Sequence, residues 1–421
     1  MKILAITNLY PPHYLGGYEL IAHAVLTALQ ARGHDVHILT SNHEVKGEKH
    51  SANEGQIERS LRVHGFYGHP WRGIASLVLL ERHNNQMVRA ALNRVRPDIV
   101  YVWNMGGISK SILLTLQKMN IPTLYYLSDH WIARGLTTDV WLNWWNRPDS
   151  GDGAALLRKI LNWVGVRHLL QQVAPTNPIG HIQFPAIYFC SKALRKLTAS
   201  AGFDVMHGKV IYAPVNAQKF NGVVKPAAVP YRKLLWVGRL AKDKGVMTAL
   251  KAMAAIKEKF SGQLNIYGRG DADYADLLKK FVADHQLPVS FKNGSMDEMP
   301  EIYRQHDGLL FTSEWAEPFA LTPLEAMASG LPVIGTTTGG SREIFRHRDN
   351  ALTYTAGNGE ELAERILELD NDPALRERIA ITGQQEVRAN YDEPLIVDQI
   401  EAYLKDVISE WQGPGLPRHD L

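Results

Sequence analysis

Twice along this chain, short apolar runs end in glycine-bearing or polar loops and lead into amphipathic helical stretches, and that order restricts the fold more than any other feature. Residues 2–7 read as a buried strand, and residues 8–18 (NLYPPHYLGGY) as a loop broken by Pro11, Pro12, Gly16 and Gly17. Residues 19–32 read as a helix stopped at Gly33, and residues 35–40 as a second strand. A strand, loop, helix, strand unit implies a parallel sheet whose ligands sit at the carboxyl ends of the strands. The alternation continues with a strand at 99–103, a helix at 109–119 and a strand at 123–127, then a strand at 186–190, a helix at 192–201 and a strand at 209–212. A second series begins at Lys233, with strands at 234–237, 264–267, 289–292 and 308–312 and a helix at 245–257. The expected fold class is α/β.

At 421 residues the chain is too long for one ordinary core, so two domains are expected, joined by residues 214–230, where large apolar residues are few after Phe220. A formal charge of +3 is too small to argue for nucleic acid as a partner. The basic concentration lies in 147–209, where Arg147, Arg158, Lys159, Arg167, Lys192, Arg195, Lys196 and Lys209 outnumber Asp149, Asp152 and Asp204. Such an excess is either a solvated face or a surface for a phosphate-bearing acceptor or an anionic membrane. The lone cysteine, Cys190, excludes an intrachain disulfide and fits a reducing compartment. The opening apolar run is too short for a signal peptide, and no stretch has the length of a membrane span. A cytoplasmic protein, touching a membrane at most from its inner face, is the expectation.

The stretch 313–340 (SEWAEPFALTPLEAMASGLPVIGTTTGG) concentrates the chemistry. Thr322, Pro323, Leu324 and Glu325 read as N-cap, N1, N2 and N3 of a helix that Gly330 ends. A helix start offers unpaired amides and a positive dipole end to a phosphate, while Glu317 and Glu325 suit paired sugar or ribose hydroxyls. The blander alternative makes Glu325 a capping-box residue and Glu317 a solvated one. In the loop VGRLAKDKG, Arg239 and Lys244 would both face an anion at the following helix start. Gly268-Arg269-Gly270-Asp271 lacks the third glycine of a dinucleotide fingerprint. Ser128-Asp129-His130 ends a strand, with either Asp129 or His130 turned inward. The histidines form no evident metal cluster.

Three of these stretches resemble signatures of the retaining glycosyltransferases of family 4, the group 1 glycosyltransferases. They are the Glu317 and Glu325 pair followed by Gly339-Gly340, the V-G-R-L…K-G of 237–245, and Pro11, Pro12, Gly16, Gly17 and Glu19 near the amino terminus. The resemblance implies a GT-B fold, two doubly wound Rossmann-like domains facing across a cleft. Residues 1–214 would be the acceptor-side domain, with 394–421 crossing back to it, and 215–393 the donor domain. It implies transfer of a sugar from a nucleotide diphosphate sugar to an acceptor hydroxyl with retention, without metal or cofactor. The acceptor would be a carbohydrate or a lipid-linked one, in synthesis of a surface glycan, glycolipid or polysaccharide.

By the same resemblance Glu317 faces the donor sugar, His130 or Asp129 contacts it, and Arg239 and Lys244 hold the diphosphate. Gly16 and Gly17 lie against it, with Gly238, Gly268 and Asn293 near the nucleotide. Glu325 holds the ribose, and the amides around Phe319, Ala320 and Leu321 stabilise the leaving group. The family usually has glycine where Ala320 stands. A sugar-nucleotide epimerase of the same fold and a non-catalytic sugar-nucleotide-binding protein are the rival readings.

Between 131 and 183 the strand pattern stops, and Trp131, Trp141, Trp144, Trp145 and Trp163 fall in pieces broken by Pro148, Gly151, Gly153, Pro175 and Pro178. A helix would put Trp141, Trp144 and Trp145 on one face, either packed on the first domain or bordering an acceptor, with Arg158 and Lys159 meeting a phosphate.

Overall fold

The structure, a computed structural model, describes residues 1–45, 55–70, 73–147 and 153–411. The chain divides into two compact units: Met1–Cys190, Leu194–Ile211 and the chain from Val397 on form one, and Ser191–Ala193 with Tyr212–Ile396 the other. These limits differ by a few residues from the boundaries at 214 and 393 read in the sequence, and they place Ser191–Ala193 with the second unit.

The first unit is built on strands β1 (Lys2–Ile6), β2 (Asp35–Ser41), β3 (Ile57–Leu61), β4 (Ile99–Val102), β5 (Thr123–Leu127), β6 (Ala186–Phe189) and β7 (Lys209–Val210). They form one sheet in the order β3-β2-β1-β4-β5-β6-β7, every pair parallel. Helices α1 (Gly17–Ala31), α2 (Ile74–Val95), α3 (Ser111–Lys118), α4 (Val140–Asn146), α5 (Gly153–Trp163), α6 (Val166–Val173) and α7 (Lys192–Ser200) occur along this part of the chain. Strands β4, β5 and β6 are buried at every position, as strands covered on both faces must be.

The second unit carries β8 (Lys233–Val237), β9 (Gln263–Tyr267), β10 (Val289–Lys292), β11 (Gly308–Phe311), β12 (Val333–Thr336) and β13 (Leu352–Tyr354), in the order β10-β9-β8-β11-β12-β13, again all parallel. Its helices are α8 (Val246–Ile256), α9 (Ala272–Asp284), α10 (Met299–Arg304), α11 (Leu321–Ala328), α12 (Gly359–Asn371) and α13 (Pro373–Asn390), followed by α14 (Glu393–Trp411). From Val397 on, α14 belongs to the first unit, where Asp398 and Glu401 pair with Arg32 and the Trp411 indole donates to Asn120 O at 3.1 Å.

One expectation is corrected. The helix expected to have Thr322 as N-cap and Pro323 as its first residue starts at Leu321, with Ala320 as its N-cap in an extended conformation (φ −96°, ψ 120°). Thr322 is therefore inside the first turn, and Glu325 lies too far along the helix to close a capping box. The conformation of Ala320 is one that any residue adopts, so glycine is not required there.

At the tryptophans, where two readings stood open, burial favours packing on the first unit. The described residues of 131–183 include a π-helical turn (Trp131–Leu136) and α4 to α6, in which Trp141 and Trp145 are buried and Trp144 is half-buried. The Trp141 indole donates to Pro175 O at 2.8 Å, and the Trp145 ring meets both Trp141 and Trp144 edge-on. This face is core, not an acceptor border. Arg158 is buried beneath it with its guanidinium 5.8 Å from the Trp144 ring, and only Lys159 of the expected phosphate pair is exposed. Pro148, Asp149, Gly151 and Asp152 lie outside the described residues.

Trp145→Ala should therefore cost about 3–5 kcal/mol, as loss of a buried aromatic does, whereas Trp163→Ala, at an 88% exposed position, should stay within about 0.5 kcal/mol of wild type. Denaturant titration of the two variants checks the contrast, and equal losses would contradict it.

Candidate active site

In a doubly wound sheet the strand order reverses at one point, where the loops leaving two neighbouring strands run to opposite sides and open a crevice at their carboxyl ends. In the second unit that point lies between β8 and β11. The loop after β8 ends in a 3₁₀ turn, Lys242–Lys244, and Gly245 then starts α8 with φ +65°. Only glycine fits there, since a Cβ would stand 2.0 Å from Thr312 O in the loop after β11. The two loops are also tied by the Thr312 hydroxyl, which donates to Lys244 O at 2.7 Å and accepts from the Trp236 indole at 2.8 Å.

That approach brings Lys244 Nζ to 2.5 Å from Glu317 Oε1, on which the Ser313 hydroxyl also donates at 2.8 Å. Both charged side chains are largely buried, and the ammonium stands 5.1 Å from the Trp315 ring centroid. Lys244 is thus engaged by the loop after β11 and not by the start of α8. Arg239 is different. Its guanidinium is 3.7 Å from Asp243 and its side chain 68% exposed.

From Glu317 the chain runs straight into α11, whose first turn leaves its amides without intrahelical partners. Phe319 stacks on Tyr212 with ring centroids 5.3 Å apart, so its side chain anchors the segment while its backbone stays at the helix start. Gly340 N donates to Glu317 O at 2.6 Å, which fastens the Gly339-Gly340 turn against this loop. Glu325, within α11, accepts the Tyr303 hydroxyl on Oε2 at 2.8 Å. Burial pushes its carboxyl up, and the Tyr303 bond pulls it partly back.

The residues expected on the nucleotide side follow the other strand ends. Gly238 N donates to Tyr267 O and Gly268 N to Lys292 O, and a Cβ on Gly268 would lie 1.9 Å from Gly238 O. Glycine is needed there to let two loop backbones touch. Asn293 is exposed just beyond β10.

The first unit reverses between β1 and β4. Asn8 N, after β1, donates to Asn104 O, after β4, at 2.8 Å. Gly16 caps α1 and donates its amide to Glu19 at 3.0 Å, with Gly17 opening the helix. Arg59 of β3 holds the proline loop through Tyr10 O and Pro11 O. Asp129, past β5, accepts from Asn104 Nδ2 at 3.0 Å and from Trp131 N at 2.9 Å, and burial pushes its carboxyl up to about 6. Asp129 and His130 both line a cavity of about 230 Å³ with His64, Lys110, Arg134 and Asp139. Lys110 donates to Met105 O and Ile108 O, and burial lowers its affinity for a proton.

Ser313, Tyr303 and Asn104 were not singled out from the sequence. Ser313 and Asn104 stand just past strand ends, the one signal available; Tyr303 is brought to Glu325 by packing alone.

A family model described as Glycosyl transferases group 1 matches residues 222–386, and one described as Glycosyltransferase Family 4 matches residues 15–219. An uncharacterized glycosyltransferase of Methanocaldococcus jannaschii is 30% identical over 407 residues, covering 93% of this chain and 94% of the relative. The chain belongs to the group 1 glycosyltransferases. The glycogen synthase of Mycobacterium tuberculosis is 24% identical over 93% of this chain and 91% of its own length. Among solved structures, sucrose-phosphate synthase of Thermosynechococcus elongatus superposes with a TM-score of 0.70 at 18% identity, covering 97% of this chain and all of its own. The HepE protein of Anabaena in complex with UDP gives 0.65 at 19% identity, covering 96% of this chain and all of its own. The fold is GT-B.

Because folding raises the proton affinity of Asp129, the native state binds more protons than the unfolded chain between the ordinary carboxyl value of 3.8 and about 6. Its contribution to stability should fall as pH rises through that window and level off above it. Asp129→Asn removes the dependence, so the stability of the variant relative to wild type should climb from pH 4 to pH 6 and then stay flat. A flat difference over the whole range in denaturant titrations would contradict the assignment.

Proposed function

We propose that this glycosyltransferase moves a sugar from a nucleotide diphosphate sugar to an acceptor hydroxyl with retention of configuration. The observation that carries the reading is the Lys244–Glu317 pair at the sheet reversal, beside the start of α11. A lysine partly neutralised by a carboxylate can exchange that partner for an incoming diphosphate, and the carboxylate is then free to accept sugar hydroxyls. Unpaired amides at the α11 start and the exposed Arg239 add positive charge at the same edge. The Glu325 carboxylate, placed four residues into α11, accepts the ribose hydroxyls.

In the reaction the bond from the anomeric carbon to the diphosphate oxygen breaks, and the bond to the acceptor oxygen forms on the same face. The acceptor proton passes to the departing diphosphate. Charge grows on that diphosphate as the bond breaks, and Lys244, Arg239 and the helix-start amides stabilise it without a metal ion or cofactor. The acceptor is a carbohydrate or lipid-linked one, met at the inner face of a membrane in the synthesis of a surface glycan, glycolipid or polysaccharide.

Loss of one donor to a transition-state charge costs about 2.7–4 kcal/mol, so Lys244→Ala should lower turnover 10²- to 10³-fold with the fold retained. Slow hydrolysis across a panel of nucleotide sugars identifies the donor for that assay, and wild-type turnover in the variant would remove Lys244 from the site. Excess chelator should leave the wild-type rate nearly unchanged; abolition reversed by magnesium or manganese would overturn the metal-free account.

A further inference from the structure

Helix α5 is built inside out. At about 100° per residue, Leu156, Leu157, Ile160, Trp163 and Val164 fall within one arc of about 120°, the arrangement that normally faces a core. Here these side chains are 63%, 40%, 47%, 88% and 52% exposed, while the opposite side buries Ala155 and Arg158. Leu169 of the neighbouring α6 extends the patch at 68% exposure. Single exposed leucines are ordinary, but a contiguous set with a bare indole marks a surface that meets something apolar.

Charge indicates what that partner is. From 153 to 203 the sequence contains no aspartate or glutamate, and Lys159 and His168 are exposed on the same two helices, with Arg147 exposed at the end of α4. A second copy of the chain or a protein groove would give this stretch no reason to exclude every acid. An anionic bilayer does, because the basic residues meet the headgroups while the apolar arc enters the acyl boundary and an indole rests at the interface. No helix among the described residues is long and apolar enough to cross a membrane. We infer that α5 and α6 are a docking element by which the enzyme lies on the surface of an anionic lipid bilayer, inserting Leu156, Ile160 and Trp163. The inference rests on the lipid-linked branch of the proposed function, yet its test reads vesicle binding rather than turnover, so either can fail alone.

The test is co-sedimentation of the full chain with vesicles of phosphatidylglycerol and phosphatidylcholine, against vesicles of phosphatidylcholine alone. Wild type should bind the anionic vesicles. Leu156→Ser, Ile160→Ser and Trp163→Ser combined should lower binding at least tenfold while the melt and nucleotide-sugar hydrolysis stay as in wild type. Lys159→Gln should lower it about fivefold at low salt and little at high salt. Should the triple variant not fold, a nitroxide on Trp163→Cys, with Cys190 buried, should report immersion in the acyl region. Absence of wild-type binding, equal binding by the triple variant, a label that stays in water, or a wild-type dimer that the triple variant abolishes without any vesicle binding would each overturn the inference.

Discussion

Everything functional in this protein depends on parallel strands ending together. Each sheet is wholly parallel, so every strand delivers its following loop to one edge, and the reversal of strand order lets two of those loops separate. In the second unit Lys244 and Glu317 occupy that separation, and Gly245 permits it because any side chain there would strike the backbone of the neighbouring loop. Largely buried opposite charges recover little more than their desolvation cost. Under the proposed function, the pair at a strand reversal is there to exchange partners with a charged substrate rather than for stability.

The first unit uses buried polar groups differently. Helix α2 faces the core with Glu81, Asn84 and Asn85. Asn84 exchanges bonds with both backbone groups of Arg62, and Ser111 bridges Asn85 and Glu81, whose carboxyl burial pushes up to about 8. A polar network with defined partners fixes one packing where an apolar seam could slide. It also secures the start of α3 beside Lys110, which lines the same cavity as Asp129 and His130. Positioning there descends from the core outward to the cavity.

The two sides of the tryptophan-bearing segment show how misleading residue type can be without packing. Trp141 and Trp145 complete a core, while Trp163, a few turns on, stands in solvent with leucines around it. Identical side chains meet opposite fates because α4 lies against α2, whereas the apolar arc of α5 turns away from the unit that carries it.

Sequence alone determined the parallel α/β character, because strand runs, glycine loops and helical stretches recur in an order that only a crossover connection satisfies. It also determined which loops carry Glu317, Lys244, Asp129 and His130, since those residues stand at strand ends in the local pattern. Three things were decided only by tertiary structure. The start of α11 at Leu321 was hidden because Thr322 and Pro323 imitate a cap and first turn, while the extended Ala320 actually precedes the helix. Strand β3 and helix α2 went unread in 41–98, where Glu81, Asn84 and Asn85 interrupt the apolar face that Leu77, Leu80, Val88, Leu92 and Val95 otherwise form on α2. The pairing of Lys244 with Glu317, of Tyr303 with Glu325 and of Asn104 with Asp129 joins residues far apart in the chain. Strand order brings the first and last of these pairs together and helix packing the second, and no local spacing records either.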